Sequence, residues 1–216
     1  MILLVETPGT DPAAWRPLIA TLESTGERVD VVAFPCSGDA ASFAAAIGRA
    51  EPDGPYTLVA HGIGATLALQ ADLHPSRAIL LGPVLGVEPS VALARVALRP
   101  LDADVRLDRH PDDAADLGVG GVRLRCVARG LAEDVLGWIS TGTVPIGPID
   151  APITVLSAPL DEIAPVELLV PAARALGARV VRLGLGDLAS RDLDHAGLLT
   201  DRDALARLAK IVADDP

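Results

Sequence analysis

Short apolar runs that alternate with amphipathic stretches constrain this fold more than any other feature of the chain. The runs are ILLV (2–5), VDVVAF (29–34), YTLVA (56–60), AILL (78–81), ITVLS (153–157) and RVVRL (179–183). Most are rich in Val, Ile and Leu without polar alternation, which is typical of parallel strands buried on both faces. Helical patterns cover about 12–24, 40–50, 64–73, 165–176 and 201–213. The alternation predicts an α/β fold with a doubly wound, mostly parallel sheet.

The alternation is interrupted between residues 86 and 150. This segment contains a helical pattern at 90–98, an acidic loop at 101–113 and a longer apolar stretch at 122–139. There is no internal repeat or low-complexity linker, and 216 residues are enough for one sizeable core. We therefore predict a single domain over 1–216, with 86–150 as a cap insertion that lies over the carboxyl ends of the strands. Trp138 is expected to face inward.

The charge and cysteine content limit the classes of partner. The chain has 18 Lys and Arg against 29 Asp and Glu, a net charge of -11, and no basic cluster, so nucleic acid and anionic membranes are poor partners. Cys36 and Cys126 lack the spacing of a metal site and predict free thiols. No apolar run reaches the roughly 18 residues of a membrane span, and the first residues form a strand instead of a signal peptide. We expect a cytoplasmic protein that acts on a small molecule, with no metal; its oligomeric state stays open, with a homodimer as one option.

Candidate functional residues follow predicted strands, where ligands bind in open parallel sheets. His61 and Gly62 follow the third strand, in VAHGIGATLAL; Asp161 follows the fifth and His195 the sixth. The GIG stretch has no third small residue at the spacing of a dinucleotide fingerprint, and it follows the third strand instead of the first. We therefore expect no NAD and no other cofactor.

The order of turn, acid and histidine resembles the α/β-hydrolase superfamily. AHGIG (60–64) lines up with the family's nucleophile elbow G-x-S-x-G, with Gly62 in place of the serine. The resemblance implies Asp161 as the acid, His195 as the catalytic histidine and Gly64 as the small residue where helix and strand approach closely. PGTDPAAW (8–15) resembles the family's loop after the first strand. The likeness covers nearly the whole chain and implies a sheet of the α/β-hydrolase type with a short helical cap.

Two departures from the family pattern affect the chemistry. Without Ser or Cys at Gly62, no acyl-enzyme can form there; glycine accepts the positive φ of this turn without a Cβ penalty. The N–H of Ile63 would still favour an anion or a developing oxyanion. The other oxyanion-hole donor depends on the register of the first-strand loop, because Thr10 supplies an N–H whereas Pro8 has none. Both registers remain open.

Other residues have alternative interpretations. His61 is expected to pack beneath the turn and support it. Glu88, after the fourth strand, is the alternative to Asp161 as the acid. Cys36 and Ser37 are alternatives as displaced nucleophiles, although Cys36 is better explained as a packed small hydrophobe.

Three functional hypotheses fit these residues. The first is an enzyme without covalent catalysis, in which His195, oriented by Asp161, is a general acid or base and Gly62 leaves room where a serine hydroxyl would stand. It would carry out water addition, cyclisation or lactonisation, or lyase chemistry on a small apolar acyl or polyketide-like substrate. The second is a non-catalytic pseudo-hydrolase that binds a ligand or partner. The third is a serine esterase or thioesterase whose nucleophile at position 62 was substituted. A serine at 62 is expected to fit the turn.

Overall fold

Strands and helices alternate along the part of the chain that the structure describes. A computed structural model describes residues 1–8, 12–35, 37–87, 114–119, 122–147, 149–161, 163–183, 193, 195 and 197–214. The strands are β1 (Ile2–Val5), β2 (Val29–Val31), β3 (Thr57–His61), β4 (Arg77–Leu81), β5 (Ala114–Val119), β6 (Val122–Ala128), β7 (Ile153–Ser157) and β8 (Arg179–Arg182). The helices are α1 (Arg16–Glu23), α2 (Ala40–Arg49), α3 (Gly62–Ala68), α4 (Arg129–Thr141), α5 (Val166–Ala175), α6 (Gly197–Thr200) and α7 (Arg202–Asp214), and a 3-10 helix at Pro12–Trp15 leads into α1.

One parallel sheet holds the fold together. Its strand order is β2-β1-β3-β4-β7-β8, and each neighbouring pair is parallel. The chain runs from β1 to β2 in one direction and then returns past β1 to β3 and beyond. This reversal is the topological switch of a doubly wound sheet. The predicted fold class is confirmed.

The sheet is buried because its strand residues alternate between two apolar layers. On one face, Leu3 and Val5 belong to a core cluster with residues of α2, α3, α4 and α5. On the other face, Ile2 and Leu4 belong to a cluster with residues of α1, α6 and α7. Successive side chains of a strand point to opposite faces, so burial on both faces explains why β1 is apolar at every position.

The covering helices are short. α4 and α7 have 13 residues each, and α1 packs against both α6 and α7. None of the helices in the described ranges combines the length and apolar character that crossing a membrane requires.

The predicted elements differ from the observed ones mainly at their ends. β2 ends at Val31, earlier than the predicted run to residue 34. α3 spans Gly62–Ala68 instead of the predicted 64–73. The helical pattern at 90–98 lies outside the described residues.

A hairpin between β5 and β6 is a feature that the sequence patterns did not predict. The two strands pair antiparallel in a small sheet of their own. β6 then passes directly into α4, so the apolar stretch 122–139 is half strand and half helix.

α4 is tied to the layer that covers the sheet. The N–H of Leu131 donates to the carbonyl oxygen of Gly38 at 3.0 Å, and the N–H of Ala40 donates to the carboxylate of Asp134 at 2.7 Å. Trp138 is buried in the cluster that α2 and α3 also form, which confirms its predicted inward orientation. The cap boundaries, and a position of the segment over the carboxyl ends, stay predictions.

Candidate active site

Residues from several strand ends meet at the carboxyl edge of the sheet. Thr7 follows β1, Gly62 follows β3, Gly82 follows β4 and Asp161 follows β7. The ring of His195 lies beside both Gly62 and Gly82. Parallel strands bring their carboxyl ends to one edge, so residues far apart in the sequence become neighbours here.

The turn between β3 and α3 has the predicted geometry. Gly62 begins α3 with a φ of +56°, so the positive φ expected there is confirmed. Gly64 lies against the end of β1, because a Cβ on it would stand 2.1 Å from the carbonyl oxygen of Glu6. The close helix–strand approach assigned to Gly64 is therefore confirmed.

His195 and Asp161 form a buried hydrogen-bonded pair, as predicted. His195 Nδ1 lies 2.8 Å from Asp161 Oδ2, and each residue is 4% exposed. The other carboxylate oxygen accepts the N–H groups of Ile163 at 3.0 Å and Ala164 at 2.7 Å. An ionised carboxylate can only accept, so the proton of the pair sits on Nδ1. Nε2 of a neutral His195 is then an unprotonated base.

This base points at the elbow. A Cβ on Gly62 would stand 2.8 Å from His195 Nε2 and 3.4 Å from Cε1. In a serine hydrolase the histidine nitrogen that takes the proton faces the nucleophile in this way. The geometry therefore places a base next to position 62, although glycine has no side chain that could give a proton to it.

Thr7 fills the space beside Gly62, and the sequence prediction did not include it. Its Oγ1 lies 2.6 Å from the place of a Cβ on Gly62, and the residue is 5% exposed. The room expected where a serine hydroxyl would stand is therefore absent, because the Thr7 hydroxyl and the ring of His195 occupy it. β1 pairs directly with β3, which brings the end of β1 to the elbow. The position of Thr7 just after the first strand was an available signal, but the family resemblance draws attention only to Pro8 and Thr10.

His61 packs beneath the turn, as expected. It is 3% exposed; Nδ1 lies 2.9 Å from Thr7 Oγ1, and Nε2 lies 3.2 Å from the carbonyl oxygen of His195. Trp15 meets the ring edge-on at 5.3 Å between centroids, and the ring of His195 lies at 4.3 Å. Burial, followed by the charge of a protonated His195, holds the pKa of His61 well below its usual value. The neutral ring donates from Nε2 to the carbonyl oxygen, so Nδ1 accepts from the Thr7 hydroxyl.

Gly82 makes room for the acid–histidine pair and was also missed from the sequence. Its φ is +49°, and a Cβ on it would stand 2.7 Å from Asp161 Oδ2 and 3.0 Å from His195 Nδ1. A side chain at this position would separate the two residues or displace them. Its signal in the sequence is a glycine directly after the apolar run 78–81.

Glu6 places a second carboxyl group next to Thr7 in the chain. The residue is half-buried, and burial raises its pKa from 4.5 to about 7. Desolvation disfavours the charged form of a carboxyl group. Glu6 therefore titrates close to neutral pH.

Part of the predicted constellation lies outside the described residues. This applies to Thr10, Glu88 and Cys36. Ile63 is in the first turn of α3 and is 6% exposed, while Ser37 is exposed at the surface. The choice between Pro8 and Thr10 for the oxyanion hole stays a prediction.

Comparison with known proteins identifies the fold. No protein-family model matches the chain, and no match was found among curated proteins. The esterase domain of a Rhodothermus marinus protein is 17% identical, with a TM-score of 0.62 over 99% of this chain and 85% of that one. The structure reported for the metagenome-derived lipolytic enzymes LipS and LipT is 16% identical, with a TM-score of 0.61 over 99% and 93%. A thioesterase domain from the curacin biosynthetic pathway is 18% identical, with a TM-score of 0.61 over 98% and 90%.

The chain has the α/β-hydrolase fold. Enzymes of this fold carry their nucleophile on a turn that leads from a strand into a helix, and the turn between β3 and α3 has that form. The assignment of Gly62 to the nucleophile position, and of Asp161 and His195 to the acid and the histidine, stays a prediction. The arrangement therefore combines an acid–histidine pair with an elbow that has no side chain of its own.

Proposed function

We propose that the protein is an enzyme of the α/β-hydrolase fold that acts without a serine nucleophile, with His195 and Asp161 as its acid–base pair. The observation that carries this proposal is the buried His195–Asp161 hydrogen bond together with the approach of Nε2 to the elbow at Gly62. One imidazole nitrogen is held by a carboxylate, and the other is an unprotonated base at the place where this fold carries its chemistry.

Asp161 fixes the tautomer of His195 and stabilises its charged form. When Nε2 takes a proton from bound water or from the substrate, the carboxylate 2.8 Å from Nδ1 stabilises the resulting imidazolium. His195 then returns the proton to the product. General acid–base catalysis contributes about 10²–10⁴-fold, which is sufficient for water addition, cyclisation or lactonisation, or lyase-type elimination in a substrate disposed to react.

The substrate we propose is a small apolar acyl or polyketide-like molecule. Only 2% of the residues are aromatic, so a binding site in this chain has mainly aliphatic walls. Leu198, whose Cδ1 lies 3.0 Å from the place of a Cβ on Gly82, and Ile63 are examples at the site. A thioesterase domain is among the similar structures, which is consistent with an acyl chain as the ligand.

A non-catalytic pseudo-hydrolase is the second candidate. It is favoured by the filling of position 62, where the side chains of Thr7 and His195 leave no space for a further group. The same contact disfavours a serine enzyme substituted at this position, because a serine Cβ would stand 2.6 Å from Thr7 Oγ1.

The test is turnover of a substrate panel by the parent, His195→Ala and Asp161→Asn. The panel contains esters and thioesters of short acyl chains, enoyl and β-hydroxyacyl thioesters, and hydroxy acids. We expect His195→Ala to lower kcat by about 10²–10⁴-fold on the accepted substrate and Asp161→Asn to lower it as well. His74→Ala is the matched control, because the side chain of His74 is 74% exposed, and it should leave kcat unchanged. Turnover that ignores His195, or a panel that is bound but never converted, would replace this proposal with the binding function.

A further inference from the structure

We infer that Thr7 is the nucleophile of this site, with its hydroxyl supplied from the end of β1 in place of an elbow serine. The inference rests on the proposed acid–base role of His195 and adds the group on which that base acts when the substrate is an acyl ester or thioester. It concerns a residue that no elbow motif contains.

Thr7 lies at the right position for this role. Thr7 Oγ1 and His195 Nε2 border the same point, the place of a Cβ on Gly62, at 2.6 Å and 2.8 Å. The hydroxyl thus stands within the volume that a serine side chain would need. It stands there because β1 and β3 are paired neighbours whose carboxyl ends coincide, with Val5 opposite Ala60.

The Thr7 hydroxyl is held by contacts with His61. Thr7 Oγ1 lies 2.9 Å from the carbonyl oxygen of His61 and 2.9 Å from the Nδ1 of the same residue. Both groups accept hydrogen bonds, since His61 is neutral with its proton on Nε2. A hydroxyl has a single proton to donate. The contact with His61 fixes the oxygen beside the point that His195 Nε2 also borders.

The two histidines near Thr7 differ in how well they accept a proton. Burial keeps His61 neutral and makes it a poor final acceptor of a proton. His195 has a carboxylate on its far nitrogen, which stabilises an imidazolium. The proton of Thr7 therefore goes to His195, while His61 orients the hydroxyl. Thr7, His195 and Asp161 repeat the roles of nucleophile, base and orienting acid, with the nucleophile on a different strand.

The reaction balances without any oxidant or reductant. Thr7 Oγ1 attacks the acyl carbonyl carbon, and its proton moves to His195 Nε2. The bond from the carbonyl carbon to the leaving oxygen or sulfur breaks, and His195 gives the proton to the departing alcohol or thiol. Water, or a hydroxyl of the acyl chain itself, then attacks the threonyl ester and gives its proton to His195. Thr7 leaves as a hydroxyl when that proton returns to Oγ1, and the product is an acid or a lactone.

The experiment is covalent labelling of the folded full chain with diisopropyl fluorophosphate, followed by peptide mapping. The reagent phosphorylates an activated hydroxyl and releases fluoride. Thr7 and Thr10 share the tryptic peptide that ends at Arg28, because Pro17 blocks cleavage after Arg16, and fragment ions between the two threonines assign the site. We expect one adduct, on Thr7, that is absent from Thr7→Val and from His195→Ala.

Two further variants separate a nucleophile from a threonine that merely ties β1 to β3. Thr7→Ser keeps the hydroxyl and should keep the adduct, so the test does not depend on whether Thr7→Val folds. Thr154→Val makes the same change at a buried threonine of β7, 8% exposed, and should label like the parent. The folded state of every variant is checked by circular dichroism and thermal unfolding.

The outcomes distinguish this inference from the proposed function. Labelling of Thr10 instead of Thr7, or no labelling of folded parent and Thr7→Ser, overturns the inference. If turnover still responds to His195 in that case, the acid–base proposal stands and Thr7 is a structural strap. If neither labelling nor His195-dependent turnover is found, both fall together.

Discussion

A single methyl group at position 62 tests how the elbow is packed. In Gly62→Ala the new Cβ stands 2.6 Å from Thr7 Oγ1 and 2.8 Å from His195 Nε2, on a residue with a φ of +56°. Both distances are shorter than carbon–oxygen and carbon–nitrogen packing contacts allow. His195 is held by Asp161, so the hydroxyl of Thr7 is the group that we expect to move.

The loss of folding stability in Gly62→Ala has two parts. A residue with a Cβ pays about 1–2 kcal/mol for the left-handed conformation. Moving Thr7 breaks the hydrogen bond that its one hydroxyl proton makes to His61, at about 0.5–1.5 kcal/mol. We therefore expect Gly62→Ala to lower the free energy of unfolding by about 1.5–3.5 kcal/mol, a large part of the roughly 5–15 kcal/mol of a typical domain.

A double-mutant cycle with Thr7→Ala separates the two parts. In the Thr7→Ala background the hydrogen bond to His61 is already lost, so adding Gly62→Ala should cost only the backbone strain and the remaining contact with His195. We expect a coupling of about 0.5–1.5 kcal/mol between the substitutions, equal to that one hydrogen bond. Urea unfolding of the parent, the two single variants and the double variant measures it. Additivity within about 0.5 kcal/mol would refute the claim that the Thr7 hydroxyl occupies the serine position.

The same contact changes what to expect of Gly62→Ser. A serine at 62 fits the turn only when Thr7 gives way, so the single variant should lose stability much as Gly62→Ala does. Gly62→Ser combined with Thr7→Ala restores one hydroxyl opposite His195. We expect that double variant to hydrolyse p-nitrophenyl acetate in a manner that His195→Ala abolishes. Equal activity of the single and double serine variants would contradict this account.

Three further predictions concern neighbouring residues. Gly64→Ala should lower the free energy of unfolding by several kcal/mol, because its Cβ would stand 2.1 Å from the backbone oxygen of Glu6. Gly48→Ala is the control: its Cβ would have nothing within 4 Å, so it should be neutral or stabilising in the same urea titration. Gly82→Ala should remove the low-field proton resonance of the His195–Asp161 hydrogen bond, because its Cβ would stand 2.7 Å from Asp161 Oδ2; an unchanged resonance would contradict the packing. Between pH 4.5 and about 7, Glu6 keeps its proton in the folded state while the unfolded chain loses it. This residue therefore makes stability fall as pH rises through that window. Glu6→Gln should remove that decline, and parallel stability–pH profiles of parent and variant would contradict the raised pKa of Glu6.

The sheet could be predicted from the sequence because its strands are buried on both faces. β1 and β7 coincide with the predicted runs 2–5 and 153–157, since continuous Val, Ile and Leu leave few alternatives. The β5–β6 hairpin was missed, although Val119 and Val122 flank Gly120-Gly121, a two-residue pattern typical of hairpin turns. The end of β6 is harder to predict, because the pattern changes from strand to helix inside the apolar stretch 122–139.

Some residues of the candidate site could be predicted from the sequence and others could not. Gly62, Asp161 and His195 could be found because each has a local context that resembles a known motif. Thr7 and Gly82 could not, because their roles come from the lateral order of the sheet. Thr7 matters because β1 pairs with β3, and Gly82 matters because β4 pairs with β7, whose end carries Asp161. Short-range patterns predict that strands exist, but they do not say which strands are neighbours.

The glycine at the elbow and the hydroxyl of Thr7 depend on each other. A Cβ at position 62 and Oγ1 of Thr7 cannot occupy the same space, and the ring of His195, held by Asp161, cannot retreat without breaking that bond. Only a residue without a side chain at position 62 therefore lets the Thr7 hydroxyl approach His195. If so, removing Thr7 alone leaves His195 with no hydroxyl in front of it, and adding a serine alone crowds two hydroxyls against one nitrogen. Only the parent and the exchanged pair, Gly62→Ser with Thr7→Ala, present a single hydroxyl to His195, and these two proteins should share a phosphorylated adduct that moves from residue 7 to residue 62.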